Sequence, residues 1–274
     1  MPSHVAVMTY NVRYDNPADQ EYVWRKRRDE VASVIRFHDP DLVGLQEALG
    51  DQLRDLRDRL PGYEWLPAGR DAGAAENAGE YPAIGYDTDR FNLEAEDSFW
   101  LSETPDEPGS VGWDAALPRL VKYVELREID TDVRFFHFNT HFDHAGDRAR
   151  VESAKLLRDR IDAVTGDEPI VVTGDFNAEE ATEPYEVLTH ENGHRRALLD
   201  AHYAASYPHH GPTTTVTDFT SLVPDHKIDH VFVSRDDEVL VHGTCSDTFG
   251  DGLYPSDHLP VLVKLSVPRR TPTA

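Results

Sequence analysis

Asp175 and Asn177 stand two residues apart in IVVTGDFNA (170–178), directly after an apolar run that reads as a buried strand. A carboxylate and a carboxamide on a loop held by a sheet suit the task of holding a water against a phosphorus. Taken alone, Asp-x-Asn after a strand is more often a turn. Five further strand boundaries carry polar residues of the same kind. Asn11 closes VAVMTY, Glu47 closes DLVGLQ and His141 closes FFHFNT, while Asp229 and the pair Asp257-His258 stand just ahead of strands. Each has an ordinary alternative. Asn11 suits a turn, Glu47 a helix N-terminus, His141 a solvated surface, 256–258 an Asx-capped turn, and Asp229 a pairing with Lys227. If the last two strands run antiparallel to the first four, all six positions meet at one rim.

Assembled there, these groups have a common chemistry. Glu47 and Asp257 offer hard oxygen ligands suited to Mg²⁺ or Mn²⁺. Zinc is disfavoured, because Cys245 is the sole cysteine and no His-x₃-His pair lies on a helix. Hydrolysis of a phosphate ester needs charge neutralisation, an in-line nucleophile and a stabilised leaving group. Asp175 and Asn177 can hold the water, and histidines oriented by carboxylates can stabilise the transition state or move a proton. The chain has neither a Gly-x-x-x-x-Gly-Lys-Ser/Thr loop nor a Gly-x-Ser-x-Gly elbow, so nucleotide-hydrolase and serine-esterase chemistry lack their parts.

The elements that must position these residues follow from periodicity. Strands are expected at 5–12, 41–47, 81–87, 91–101, 119–128, 132–142, 170–173, 227–234, 238–245 and 259–266. Helices are expected at 21–38, 50–60, 148–164 and near 183–190. A glycine- and alanine-rich loop covers 69–79. The order is neither regular βαβα nor all β, and it suits two packed sheets with helices outside. Residues 1–267 read as one domain, followed by a short tail at 268–274. Trp100 and Trp113 read as core packing, and the loop pair His209-His210 as solvated.

At 274 residues the chain is long enough for a full core, and its formal net charge is −24 with 51 acidic against 27 basic residues. Only five of the basic residues are lysines. Aliphatic runs and aromatics argue against a disordered acidic protein. A folded protein with a carboxylate-rich, lysine-poor surface is typical of salt-loaded cytoplasm, as in halophilic archaea. At molar salt the Debye length is only about 3 Å, so the charge does not exclude a nucleic-acid substrate. Cys245 cannot form an internal disulfide and is expected in the core. No apolar stretch approaches a membrane span, WRKRRDEV (24–31) lacks the apolar region of a twin-arginine signal, and a cytoplasmic monomer is expected.

Six segments then carry a resemblance: TYNVR (9–13), GLQE (44–47), NTHFDH (139–144), GDFNA (174–178), KIDHVFVS (227–234) and PSDHLPV (255–261). In order and spacing they resemble the endonuclease/exonuclease/phosphatase superfamily over nearly the whole chain. The resemblance implies an α+β fold, a four-layer αββα sandwich of two mixed sheets with outer helices, and Mg²⁺-dependent hydrolysis of a phosphate ester by an activated water. It implies Glu47 as main metal ligand with Asn11 and Asp257 close by, Asp175 and Asn177 on the water, and His258 on the phosphate, oriented by Asp229. His141 would be the second active-site histidine. GEYPAIGYD (79–87) points more loosely to Glu80 as partner of His141, and LPRLVKYVEL (117–126) to Arg119 on phosphate, with Asn11 also near the substrate. Within the superfamily the chain is most similar to a subgroup of bacterial and archaeal members sharing TYNVRYDNP and FWLSETP…GWDAALPR, and with its acidic composition a haloarchaeal member is expected. Arg13 stands where abasic-site endonucleases usually carry an acidic residue. There is no basic insertion for gripping a duplex, nor a lysine-rich inositol-phosphatase signature. A small or lipid-derived phosphate ester is therefore expected ahead of a nuclease substrate, with a non-catalytic binding module as the remaining alternative.

Overall fold

A computed structural model describes residues 3–71, 79–190 and 193–267. The tail at 268–274 and most of the 69–79 loop lie outside the described residues. In chain order the elements are β1 (Ser3–Asn11), α1 (Trp24–His38), β2 (Leu42–Ala48), α2 (Gly50–Arg59), β3 (Tyr63–Leu66), β4 (Tyr81–Asp87), β5 (Phe91–Trp100) and β6 (Leu120–Glu128). They continue with β7 (Arg134–His141), α3 (Asp147–Val164), β8 (Ile170–Asp175), α4 (Glu183–Thr189), β9 (Leu198–Asp200), α5 (Ala201–Ala204), β10 (Asp229–Ser234), β11 (Glu238–Thr244) and β12 (Val261–Val267).

The strands form two six-stranded sheets, in the orders β11-β12-β1-β2-β4-β3 and β5-β6-β7-β8-β10-β9. Each sheet has one parallel pair near its middle, β1 with β2 and β7 with β8, among antiparallel neighbours. Val7, Leu42, Ile84, Val124, Phe135, Val171, Val231 and Val263 fill the space between the sheets. On the outer face of the first sheet, α1 and α2 cover Met8, Tyr10, Val43 and Leu45 with Val31, Ile35, Leu53 and Leu56. On the outer face of the second, Ala154, Leu157, Ile161 and Leu188 of α3 and α4 cover Phe138, Val172 and Phe232. The architecture is thus the expected four-layer αββα sandwich.

Polar residues pin the two sheets to each other. Asn139 of β7 donates to the backbone carbonyls of Leu45 (2.8 Å) and Ala83 (3.0 Å), and its Oδ1 accepts from Gln46 Nε2 (2.7 Å) and Thr173 Oγ1 (2.9 Å). Gly44 leaves room for this network, since a Cβ there would lie 2.5 Å from Asn139 Oδ1. A one-residue slip of β7 would break four bonds at once, so the ends of β2, β7 and β8 are fixed in mutual register.

One expectation is corrected, and two short strands are added. The helix read at 21–38 begins at Trp24, and Pro17–Tyr22 forms a separate 3₁₀ turn with a kink at Gln20. Pro17 stands at the start of that turn, where its fixed φ is favourable. The strands β3 and β9 escaped the sequence reading, because four and three residues are too few to establish a period.

Candidate active site

Strand directions bring the six expected boundaries to one rim. Asn11 and Glu47 end the parallel strands β1 and β2, and His141 and Asp175 are register partners at the ends of β7 and β8. Asp229 opens β10 antiparallel to β8 and pairs directly with Asp175. The Asp257-His258 segment enters β12, which is antiparallel to β1.

Asn11 is the hub. Its Nδ2 donates to Glu47 Oε1 and to Asp175 Oδ2, both at 3.0 Å, so one amide joins a carboxylate of each sheet. Glu47 has φ +64° at a bulge between β2 and β4, which turns its side chain out of the pleat towards the rim. Its second oxygen accepts from the backbone N–H of Tyr14 at 3.2 Å. Asp175 Oδ1 accepts from the backbone N–H of Asn177 at 3.0 Å, and Asn177, with φ +46°, donates its side-chain amide to the Phe142 carbonyl. Asn177 is thereby fixed to both β7 and β8.

Two histidines face Asp175 Oδ2: His141 Nε2 at 3.4 Å and His258 Nε2 at 3.8 Å. His258 is oriented by Asp229, whose Oδ2 lies 2.9 Å from its Nδ1. Their protonation is driven apart. Burial, then the Arg119 guanidinium, holds His141 well below its ordinary pKa. Burial alone would also lower His258, but Asp229 and Asp175 outweigh it and raise it well above the ordinary value. Burial, then the Asp229 carboxylate, pushes Asp175 upward. One neutral histidine, one imidazolium and one carboxylate with raised proton affinity therefore share a site.

The donor set fits a divalent cation. Ligand atoms of Glu47, His141 and Asp175 lie within 4.8 Å of one another. Among the described residues the buried Asp229 Oδ1 has no hydrogen-bond partner. Buried carboxylates converging without an equal number of cations, and offering mainly oxygen, match a hard ion.

Glu80 and Asp257 each have a further partner that the sequence did not announce. Glu80, expected as partner of His141, accepts at Oε2 from Arg70 Nη1 at 2.7 Å. It lines a small cavity with Glu47, Arg70, Arg119 and His141. Burial, then Glu47, pushes its carboxyl up to about 7. Asp257, expected close to the metal beside Glu47, lies near enough for the Glu47 charge to help raise its pKa and pairs with Arg13 Nη1 at 3.6 Å. Arg119 reaches the cavity from behind, buried between Asp143 (3.5 Å) and His144 (3.2 Å).

Four supporting residues escaped the sequence reading. Arg13 makes paired bonds to Asp19, both 3.0 Å, in addition to its contact with Asp257. Arg27 is fully buried and donates to the carbonyls of Val12, Arg13 (2.5 Å) and Pro255 (3.2 Å), tying α1 to the loops after Asn11 and before Asp257. Arg70 holds Glu80, and Asp143 accepts from the N–H groups of Ala145 and Gly146 on its own loop and of Ala116 on the connection before β6, joining the two. An arginine on the apolar face of α1 was the available signal for Arg27; for Arg70 there was none. Trp100 is buried, as expected, and donates to the Arg70 carbonyl at 2.7 Å. A cleft of about 740 Å³ opens beside Asn177 between α3 and α4, where Arg148, Arg150 and Lys155 alternate with Asp147, Glu152 and Glu183.

A model of the Endonuclease/Exonuclease/phosphatase family matches residues 8–258. The crystal structure of an endonuclease/exonuclease/phosphatase from Bacteroides vulgatus is 36% identical, with a TM-score of 0.90 over 97% of this chain and 100% of that one. A mannosyl-6-phosphatase from Bacteroides thetaiotaomicron is 36% identical, with a TM-score of 0.89 over 95% of this chain and 99% of that one. An uncharacterised protein of Acanthamoeba polyphaga mimivirus is 27% identical over 262 residues, covering 88% of this chain and 92% of its own length.

Proposed function

The chain belongs to the endonuclease/exonuclease/phosphatase family, whose chemistry is metal-dependent hydrolysis of phosphate esters, and from that premise we propose that it is a Mg²⁺-dependent phosphatase acting on a small phosphate ester. One observation carries the assignment of roles: a single carboxylate, Asp175, is held by Asn11 and faced by His141 and His258, while Asn11 also holds Glu47.

In this scheme Glu47 holds the cation, with Asn11 and Asp175 beside it, and Mn²⁺ can substitute. A bound divalent ion supplies charge neutralisation for the phosphoryl oxygens. Asp175, whose proton affinity burial raises, positions the attacking water and takes its proton, and Asn177 orients it. His258, kept cationic by Asp229, donates to a phosphoryl oxygen as charge builds there. His141, kept neutral, adds a second polar contact without repelling the cation. Arg119 binds phosphate oxygens from the cavity wall, and Glu80 together with Arg70 sets the shape of that wall. Asp257 acts through Arg13 on the loop beside Glu47 rather than as a first ligand.

A small monoester is favoured over a nucleic acid for two reasons. The cations of the large cleft alternate with carboxylates, and a relative 36% identical over nearly its full length is a mannosyl-6-phosphatase. The net charge of −24 supports a salt-loaded working environment, although relatives from bacteria and a virus lend no support to an archaeal subgroup. The test offers a sugar phosphate, p-nitrophenyl phosphate, bis-p-nitrophenyl phosphate, plasmid DNA and RNA with Mg²⁺, Mn²⁺ or EDTA, across KCl concentrations. Metal-dependent release of inorganic phosphate from the monoesters is expected. Nicked plasmid without monoesterase activity would replace the proposal with a nuclease.

A further inference from the structure

A second cluster of titratable side chains lies apart from the rim. His202 on α5, His209 in the loop that follows and His242 on β11 each present a ring nitrogen within 4.8 Å of the other two. The rings enclose a common centre, with centroids 4.8 Å apart for His202–His209 and 5.0 Å for the other two pairs. His242 lies in a strand of the first sheet, while His202 lies on the helix that directly follows β9 of the second. Strand β11 is the edge of the first sheet and β9 the edge of the second, while α5 packs against β9, β10 and β11. The loop is fixed to β11 by His210, which donates to the His242 carbonyl at 3.1 Å and accepts from Thr244 N–H at 2.9 Å.

We propose that His202, His209 and His242 form a site for a borderline transition-metal ion of the Zn²⁺ class, which clasps the edge of one sheet to the edge of the other.

Hydrogen bonding identifies the ligand atoms. His209 Nε2 lies 2.9 Å from the Pro212 carbonyl, so it carries the proton and leaves Nδ1 as a lone pair. That Nδ1 faces His242 Nδ1 at 2.9 Å. Two nitrogens on one tetrahedral Zn²⁺, each about 2.0–2.1 Å from it, stand about 3.3 Å apart, a few tenths of an ångström from the observed spacing. A hydrogen bond between the two Nδ1 atoms would satisfy only themselves. With Nδ1 of the 1% exposed His242 as ligand, its proton sits on Nε2, and among the described residues the buried His202 Nδ1 has no partner. Burial pushes His242 down to about 3, which keeps its imidazole in the neutral, ligating form. Lys227, whose charge acts on His202 and His242, is engaged by Glu180 at 2.7 Å and Asp200 at 3.5 Å, so that charge is offset locally. Three imidazoles and no carboxylate select against Mg²⁺ and for Zn²⁺, Ni²⁺ or Cu²⁺. The site is therefore chemically separable from the oxygen-rich rim.

The test uses the whole chain, stripped with a chelator, re-equilibrated with excess Mg²⁺ and titrated with Zn²⁺ or Co²⁺. One Zn²⁺ per chain is expected, with the visible absorption of four-coordinate Co²⁺. At free Zn²⁺ a hundredfold above its Kd, the melting temperature should rise by about 5 °C. His209→Ala, at a half-buried loop position, should weaken binding at least a hundredfold and abolish the melting shift while leaving Mg²⁺-dependent phosphatase turnover unchanged. His242→Phe should do the same, and Asp175→Asn should leave Zn²⁺ binding intact. Absence of Zn²⁺ uptake, uptake that survives His209→Ala, or uptake lost in Asp175→Asn would each overturn the proposal, whatever the outcome for phosphate-ester hydrolysis.

Discussion

Replacing Asp229 by asparagine changes one charge and almost no volume at the point where the two halves of the site are coupled. Asp229 is 1% exposed, with Oδ2 2.9 Å from His258 Nδ1 and Oδ1 without a partner among the described residues. Burial by itself would keep His258 neutral, and the carboxylates of Asp229 and Asp175 overrule it. An ionic hydrogen bond of this kind contributes about 1.5–3 kcal/mol. If that energy holds His258 in the imidazolium form that meets the phosphoryl oxygens, its loss lowers kcat/KM by about ten- to a hundredfold at neutral pH. Direction is a sharper signature than size. His258 loses proton affinity, so the alkaline limb of the pH–rate profile moves to lower pH. Asp229 is also the second largest cause of the raised pKa of Asp175, so the acidic limb moves the same way. The whole bell should slide towards acid. The assay is kcat/KM against pH at saturating metal for the wild type and Asp229→Asn, with thermal unfolding as a check of the fold. A profile that keeps both limbs in place, at any amplitude, would refute the coupling of Asp229 to His258 and Asp175.

Other expectations follow from the same contacts. Glu47→Gln keeps the hydrogen bond from Asn11 but removes a charge, so the metal concentration for half-maximal turnover should rise at least about tenfold, read from a Mg²⁺ titration. Gly44→Ala would drive a Cβ to 2.5 Å from Asn139 Oδ1 and closer still to Thr173 Oγ1; a loss of about 1–3 kcal/mol in urea unfolding is expected. His137, buried and bonded to Thr173 Oγ1 at 2.8 Å, is pushed by burial from 6.5 down to about 3. It stays neutral in the fold while the unfolded chain takes up its proton below about pH 6.5, so stability is full above that pH and falls as the pH drops. The loss from this residue reaches about 2–3 kcal/mol near pH 4.5, and His137→Gln should flatten the slope by one proton.

The rim was legible in the sequence because an apolar strand ends where its polar residue begins. Asn11, Glu47, His141 and Asp175 sit at such ends, and the antiparallel entry of β10 and β12 brings Asp229 and His258 to them. Three kinds of feature were hidden. Arg13 and Arg70 take partners far along the chain or on loops, Asp257 and Glu80 among them, and no local pattern encodes such a pairing. The polar network of Gln46, Asn139 and Thr173 occupies positions that an alternating pattern assigns to apolar residues, and only the crossing of two sheets explains it. His202, His209 and His242 come from a four-residue helix, a loop and a strand, so no fixed spacing could announce them.

The central claim, that Asp175 activates a water for metal-dependent attack on phosphorus, is tested most directly by Asp175→Asn. The variant keeps the volume and one acceptor oxygen, so it retains the bond from either the Asn177 N–H or Asn11 Nδ2, and it loses the proton acceptor. Initial rates of phosphate release are compared with and without Mg²⁺, alongside thermal unfolding. A fall of about a thousandfold in kcat, with KM and melting temperature near wild type and no turnover in EDTA, is the predicted result. Wild-type kcat in the variant, or undiminished turnover in EDTA, would contradict the mechanism.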